Sequence, residues 1–272
     1  MLEFGRSLPR IRKSVQRHLN KDGLPKQKVL ATVIKLLEIS LIRVGNEEYV
    51  KQNQSFGLTT MRDRHVEVRG SSIRFHFKGK SGKKHDVDVQ DPKLARIVKK
   101  CQDIPGQELF QFIDPEGNRQ SISSNDVNDY LREIAGEEFS AKDFRTWAGT
   151  VLAALALQEF EKFDSQTQAK KNVIAAIESV SQRLGNTPAI CKKCYIHPII
   201  FDSYLDGTLV ETLRKRANRQ MREELSSLRP EEAAVLAFIE TKLSQPKPSL
   251  KYLLKKSLKK VSKKRFLAGL AN

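Results

Sequence analysis

The first long periodic stretch of the chain lies between Leu24 and Arg43, where apolar side chains recur at the three- and four-residue spacing of an α-helix. The apolar positions are Val29, Leu30, Val33, Leu36, Leu37, Ile39, Leu41 and Ile42. Gly23 and Pro25 mark the expected start of this helix, and Gly45 lies close to its expected end. The pattern therefore predicts an apolar helix with Arg43 near its C-terminus.

Between His65 and Val89 the period changes from that of a helix to that of a strand. Apolar and polar side chains alternate in three runs, which residues 70–72 and 79–83 separate. The alternating apolar positions are Val66, Val68, Ile73, Phe75, Phe77, Val87 and Val89. This alternation predicts a three-stranded antiparallel meander with one apolar and one solvated face. Lys80 falls in the second tight connection, from which a long side chain reaches outward.

Residues 91–184 show mostly helical patterns, broken by short polar turns at 105–106 and 115–118. The spacing of Ser140 and Asp143 is typical of a capping box. We expect it to open a helix that carries Arg145 in its first turn, beside free backbone N–H groups that favour anions. Together with the meander, these patterns predict an α+β fold that is mostly helical and has one small three-stranded sheet.

A second helix boundary is predicted further along the chain. Gly185 is expected to end one helix, and Thr187 with Pro188 is expected to begin the next. That next helix is predicted to contain Tyr195.

The charge of the chain favours a polyanionic partner. Lysine and arginine number 49 against 32 aspartate and glutamate, which gives a net charge of +17. Such a positive field favours nucleic acid and speeds encounter with it, although many basic proteins bind none. Three cysteines in 272 residues do not form a disulfide framework, so a reducing compartment is expected. The N-terminus has no signal-peptide pattern and no segment has transmembrane length, so we expect a soluble cytoplasmic protein.

Five side chains suggest chemistry on a phosphodiester. Tyr195 follows Asn186 by nine positions, and Arg43, Lys80 and Arg145 precede them in the chain. A phenol is a poor nucleophile at neutral pH, but surrounding cations and a phosphodiester electrophile make it useful. Each cation alone has an ordinary structural explanation, such as a helix-dipole partner or a solubility residue.

Cleavage of a nucleic-acid strand at a phosphodiester would give each of these five side chains a role. Tyr195 is expected to attack the phosphorus, while Arg43 and Arg145 stabilise the charge that builds on the non-bridging oxygens. Lys80 is the candidate general acid for the leaving 5′ oxygen, because ammonium carries a mobile proton. Asn186 is expected to donate a hydrogen bond to the phosphate. Nothing in this set requires a metal or another cofactor.

The order Arg43, Lys80, Lys142-x-x-Arg145, Asn186, Tyr195 resembles the catalytic set of type IB DNA topoisomerases, in their bacterial, poxvirus-like branch. The similarity runs from about Leu8 to about Ser203. It implies the tyrosine-recombinase and topoisomerase IB catalytic core. It also implies a 3′-phosphotyrosyl intermediate, relaxation of supercoils without ATP or metal, and a monomer on duplex DNA in the bacterial nucleoid.

The chain departs from the family pattern in two ways. Asn186 stands where the family commonly has a histidine, in a Gly-Asn-Thr-Pro sequence typical of bacterial members. Because an amide carries no charge, we expect no pH dependence from this position. The resemblance also implies a smaller strand-rich clamp domain ahead of this region, and we expect it to be absent here. Weaker, more salt-sensitive DNA binding than in a full-length relative would follow.

The last segment of the sequence differs from the rest. Between Lys247 and Arg265 lysine and arginine alternate with an apolar stripe and no acidic residue occurs. We therefore divide the chain into a catalytic domain, residues 1–245, and a basic tail, residues 246–272, that is predicted to be helical. Such a helix fits DNA, an anionic membrane or a partner protein, or it is a solvated extension. The upstream motifs favour DNA and no membrane association.

Three alternatives compete with this interpretation. Cys191, Cys194 and His197 have spacings that suit metal ligands, but a fourth ligand is missing from the pattern, so two small residues near Tyr195 are the preferred explanation. Tyrosine recombinases share the chemistry but typically have His-x-x-Arg at the second arginine, where this chain has Lys142. A non-catalytic DNA-binding relative would keep the charge and could lose any member of the set.

Overall fold

The computed structural model describes residues 1–160, 163–220 and 228–244. In these ranges the α-helices are α1 (Leu2–Leu19), α2 (Lys26–Ser40), α3 (Glu47–Asn53), α4 (Pro92–Gln102), α5 (Ser124–Ala135), α6 (Ala141–Glu159), α7 (Gln166–Leu184), α8 (Pro188–Cys194), α9 (Pro198–Leu205), α10 (Leu209–Gln220) and α11 (Pro230–Ser244). The strands are β1 (Val66–Arg69), β2 (Ser72–Lys78), β3 (Lys84–Gln90), β4 (Gln111–Ile113) and β5 (Arg119–Ser121). The predicted tail, residues 246–272, lies outside the described residues.

The hydrophobic core is helical and centres on α1, α2, α5 and α6. Phe4 on α1 packs edge-to-face on Phe144 of α6, with ring centroids 5.0 Å apart. Arg12 on α1 forms a bidentate ion pair with Glu232 on α11, at 2.8 Å for both N–H···O contacts. Its Nε also donates to Glu38 on α2. This half-buried cluster joins the first two helices to α11.

The predicted meander is confirmed. β1, β2 and β3 form an antiparallel sheet in that order, with Phe75 opposite both Val66 and Val87. Every second side chain of β2 is buried, so Ile73, Phe75 and Phe77 face the core as the alternation predicts. The α+β fold class is therefore confirmed, with the sheet packed beside the helical core.

A second hairpin was not predicted. Strands β4 and β5 pair antiparallel around the turn at residues 115–118, which the sequence assigned to a connection between helices. Each strand has three residues and most of their side chains are exposed. A strand this short and this exposed leaves no period-two pattern to detect.

Helix α2 ends earlier than predicted, at Ser40 rather than near Arg43. Leu41 adopts the left-handed conformation, with φ of 57°, and turns the chain away from the helix. The carbonyl of Arg43 then accepts from the backbone N–H of Leu58 at 2.9 Å, and Val44 accepts from Thr59. These long-range backbone bonds hold the segment extended, which local helical periodicity does not reveal.

The turn before Tyr195 forms largely as predicted. Gly185 ends α7 with φ of 60°, and the Thr187 hydroxyl accepts from the backbone N–H of Ile190 at the start of α8. Tyr195, however, is the residue that follows α8, not a member of it. Its φ of −126° lies outside the helical region, and Pro198 begins α9 three residues later. No helix within the described ranges combines the length and apolar character needed to cross a bilayer.

Candidate active site

Arg145 lies at the centre of the site, on the second turn of α6. The Asp143 carboxylate accepts from the backbone N–H and the hydroxyl of Ser140, both at 2.9 Å, so the predicted capping interaction is present. The Arg145 guanidinium is 3% exposed and donates to the backbone carbonyls of Leu41 and of Leu184, the latter at 2.7 Å. The expectation of a first-turn arginine beside free N–H groups was wrong. Arg145 joins the end of α2 to the end of α7 through their carbonyls.

The surroundings of Arg145 disfavour its positive charge. Burial lowers its pKa, and the neighbouring positive charge of Arg43 lowers it further. Its Nε is buried and has no hydrogen-bond partner among the described residues. A buried N–H of this kind costs free energy unless an acceptor reaches it.

Arg43 and Asn186 meet directly, although they lie 143 positions apart in the chain. The Arg43 guanidinium donates to the Asn186 side-chain carbonyl and, at 3.4 Å, to the backbone carbonyl of Gly185. This contact fixes the orientation of the Asn186 amide. Its Nδ2 is consequently left as a second buried donor without a partner in the described part of the chain.

Tyr195 is half-buried beside these donors. The Arg145 guanidinium carbon lies 5.1 Å from the centroid of its ring, within range of a cation–π contact. Its backbone N–H donates to the Cys191 carbonyl at 3.0 Å. On its other side the Tyr195 carbonyl packs against Gly149 of α6, where an added methyl group would lie 2.5 Å from the oxygen. The backbone of the tyrosine is therefore held from two helices.

A groove lies beside Tyr195, and Lys80 lies on its rim. The side chains of Arg43, Lys80, Asn186 and Tyr195 all line this groove, which lies between the β2–β3 hairpin and the start of α8. Lys80 is exposed, and its Nζ lies 4.8 Å from the Tyr49 ring centroid and 3.4 Å from the Tyr49 hydroxyl. The structure thus brings four predicted residues to one groove, and Arg145 contacts the Tyr195 ring from an adjoining pocket that Arg43 also lines.

Sequence reasoning missed His85 and Tyr49. His85 counted only as one position of an alternating strand, yet its ring lies close to Arg43 and Arg145. Tyr49 lies on α3 and was given no role by the sequence patterns. The space that Gly79 and Gly185 leave for the His85 ring exists only in the folded chain, so the sequence pattern gave no local signal for it.

The cysteine pair near Tyr195 has no metal-site geometry. Cys191 is fully buried, and burial raises the pKa of its thiol. His197 instead caps α9, where its Nδ1 accepts from the backbone N–H of Ile199 at 3.2 Å. No group of three histidine, cysteine, aspartate or glutamate side chains suited to a metal ion occurs in the described ranges.

Comparison with known proteins places this geometry in a family. The family model for the catalytic core of eukaryotic DNA topoisomerase I matches residues 1–224. The DNA topoisomerase 1B of Acanthamoeba polyphaga mimivirus is 30% identical over 211 residues, which cover 75% of this chain and 63% of that protein. The DNA topoisomerase 1B of vaccinia virus (strain Copenhagen) is 23% identical over 210 residues, which cover 76% of this chain and 64% of that protein.

These matches span less than two thirds of each viral relative and include viral and fungal proteins, so the bacterial placement stays a prediction. The family match covers well over half of the chain and contains every residue of the site. The chain therefore belongs to the type IB DNA topoisomerase family and corresponds to its catalytic core.

Proposed function

We propose that this chain relaxes supercoiled duplex DNA by transient cleavage of one strand, with Tyr195 as the nucleophile. The proposal includes a covalent 3′-phosphotyrosyl intermediate, religation, and independence from ATP and metal ions. Transesterification exchanges one phosphodiester for another, so the step itself needs no external energy source. The names of the viral and fungal relatives support the reaction class.

One observation carries the proposal. Arg145 Nε and Asn186 Nδ2 are buried donors without hydrogen-bond partners in the described part of the chain, and both belong to residues that surround Tyr195. Buried donors left open are costly, so a site that keeps two of them beside a phenol is suited to an acceptor that arrives with the substrate. The non-bridging oxygens of a phosphodiester are such acceptors.

In the proposed cleavage step one bond to phosphorus forms and another breaks. The Tyr195 oxygen forms a bond to phosphorus and loses its proton to solvent, while the bond from phosphorus to the 5′ oxygen breaks. Arg43, Arg145 and Asn186 stabilise the five-coordinate phosphorus by donating to its non-bridging oxygens. Donors of this kind are worth about 10²–10³ in rate each. Religation is the same exchange in reverse, with the 5′ hydroxyl as nucleophile.

Lys80 is proposed to protonate the leaving 5′ oxygen. Its side chain is exposed on the rim of the groove and rests on the face of Tyr49, so it can swing toward the groove without breaking a buried contact. Lys80→Ala should slow cleavage of an ordinary strand by about 10²–10⁴-fold. The same change should slow a strand with a 5′-bridging sulfur much less, because thiolate leaves without a proton. Equal slowing of both strands would remove the general-acid role.

Tyr195→Phe tests the nucleophile. The wild-type chain should relax a plasmid in the presence of EDTA and without ATP, and should leave a covalent protein–DNA adduct on denaturation. Tyr195→Phe should abolish adduct and relaxation while DNA binding persists. Tyr204→Phe controls for the loss of a tyrosine hydroxyl away from the groove and should keep adduct formation, while the loss of the acceptor of the buried Asn172 Nδ2 should lower stability. Adduct formation by Tyr195→Phe would refute the assignment.

The finer assignments rest on the resemblance alone. The Gly-Asn-Thr-Pro sequence at Gly185–Pro188 supports a bacterial protein that acts on the nucleoid in the cytoplasm, as a monomer on duplex DNA. A tyrosine recombinase would instead require paired target sites and exchange strands. Relaxation of a plasmid that lacks any special site distinguishes the two classes.

A further inference from the structure

The imidazole of His85 occupies a confined position between two segments of the site. His85 is on β3, directly opposite Phe77 on β2, and the two rings stack with centroids 5.0 Å apart and planes 11° from parallel. The stack closes the end of the sheet that leads into the Lys80 turn. On its far side the ring faces the pocket lined by Arg43 and Arg145.

Two glycines make room for this ring. A methyl group added at Gly79 would lie 2.6 Å from both Nε2 and Cδ2 of His85. A methyl group added at Gly185 would overlap the Cε1 edge of the same ring. Gly79 immediately precedes Lys80, and Gly185 immediately precedes Asn186. The His85 ring therefore adjoins the backbone next to Lys80, the proposed general acid, and the backbone next to Asn186, a proposed phosphate donor.

Outside the His85 contact, the hairpin that carries Lys80 is anchored by the contact of Lys80 with Tyr49 on α3 and, at its base, by the backbone bond from Phe56 N–H to the Lys78 carbonyl at 2.8 Å. Its other backbone bonds are internal, from Gly79 N–H to the Lys83 carbonyl at 2.7 Å and from Gly82 N–H to Gly79 at 3.1 Å. The tip of the hairpin, residues 80–83, is exposed. Between this hairpin and the end of α7 lies the His85 ring, which adjoins the backbone at both Gly79 and Gly185.

We propose that His85 is a positioning residue that holds the Lys80 hairpin at the correct distance from Asn186 and Arg145, so that Lys80 reaches the leaving oxygen. This inference rests on the proposed function. His85 itself touches no reacting atom. Its effect is transmitted through Gly79 to Lys80.

The charge state of the ring fits this role. Burial, with the nearby positive charges of Arg43, Lys83 and Arg145, lowers the pKa of His85 to about 4. The ring is therefore neutral at pH 7 and adds no further positive charge beside the two arginines. A flat, neutral imidazole fits at this position, whereas a protonated imidazole would repel Arg43, Arg145 and Lys83 of the hairpin.

The leaving-group atom provides the test, in the full 272-residue chain. His85→Ala should slow cleavage of an ordinary strand by about 10–100-fold, as expected for misplacement of a general acid by about 1 Å. Cleavage of the 5′-bridging sulfur strand should fall by less than about threefold, because that step needs no acid. His85→Gln, which is planar, neutral and of similar length, should restore most of the rate. His76→Ala is the matched control, since His76 lies on β2 with an exposed side chain on the opposite face of the sheet.

Hydrogen exchange provides a readout that does not depend on activity. In His85→Ala the amides of residues 79–83 should exchange faster, while those of the β1–β2 pairing should not change. Equal slowing of both strands would overturn the proposal, because His85 would then support the phosphate site or the fold in general. Unchanged cleavage with unchanged exchange would overturn it as well. If the wild-type chain forms no adduct with either strand, the proposed function fails, and exchange at residues 79–83 alone decides whether His85 positions the hairpin.

Discussion

Arg145 carries a charge where the surrounding protein disfavours one. Its guanidinium is buried, its pKa is lowered by that burial and by Arg43, and its acceptors are two backbone carbonyls rather than a carboxylate. A buried cation without a counter-ion lowers stability, whereas its hydrogen bonds raise it. Such a residue contributes little net stability, which is consistent with retention for the chemistry of the site.

Arg145→Gln should separate activity from stability. Glutamine keeps an N–H donor for one of the two carbonyls and removes the buried charge. The free energy of unfolding should therefore change by less than about 1 kcal/mol, because relief of the charge offsets the lost hydrogen bond. Cleavage should fall by at least about 100-fold with both the oxygen and the sulfur leaving group. Chemical denaturation and single-turnover cleavage measure the two effects.

An exposed arginine serves as the control for this change. Arg132→Gln on α5 removes an arginine whose ion pair with Asp129 is solvent-accessible, so neither stability nor cleavage should change much. A loss of more than about 3 kcal/mol in Arg145→Gln would mean that Arg145 is mainly a structural link between α2 and α7.

At the level of elements, the position of Tyr195 depends on how closely α6 approaches the chain after α8. Gly149 lets the Tyr195 carbonyl contact the helix backbone, and Thr150 accepts from the His197 N–H at 3.1 Å one step further on. Tyr195 keeps one helical bond, from its N–H to the Cys191 carbonyl, and the contacts with α6 hold the chain on its carbonyl side. The proposed nucleophile is thus placed by packing between elements.

Gly149→Ala should displace Tyr195. Alanine normally stabilises a helix interior by about 0.5–1 kcal/mol relative to glycine. Here the new methyl group would lie 2.5 Å from a backbone oxygen, which cannot rotate away, so overpacking should cost about 1–3 kcal/mol instead. We expect adduct formation to fall at least about tenfold, since small misplacements of reacting groups are costly. Ser179→Ala, an exposed change on α7, should leave adduct formation and thermal stability unaltered.

Contacts between distant elements also limit what could be predicted from the sequence. The meander and the glycine end of α7 followed from periodicity and turn residues, because both are local features. The end of α2 did not, since the bonds of Arg43 and Val44 to residues 58–59 come from a distant segment. The site residues were predicted by their order along the chain, whereas the His85 contacts with Gly79 and Gly185 arise only when the sheet packs against α7.

At the level of the whole molecule, exposed cations surround the groove. Lys80, Lys83, Arg183, Lys192 and Lys193 are exposed around the groove and the adjoining ends of α7 and α8. None of the five forms an ion pair with a carboxylate within the described ranges, unlike Arg12 or Arg74. Cations left without local partners are available to neutralise phosphates along a duplex.

This arrangement predicts a graded dependence of DNA affinity on salt. Each lysine that neutralises one phosphate should contribute about 0.9 to the slope of log affinity against log salt. Lys83→Gln and Lys192→Gln should therefore each reduce the slope by roughly that amount and weaken binding to all sequences equally. Lys171→Gln is the control, because Lys171 is exposed on α7 about 20 Å from Gly185 at the helical rise of about 1.5 Å per residue. Filter binding of a duplex between about 50 and 200 mM salt measures the slopes. If Lys171→Gln reduces the slope as much as Lys83→Gln does, the overall charge of +17 governs binding and the groove does not set where the duplex lies.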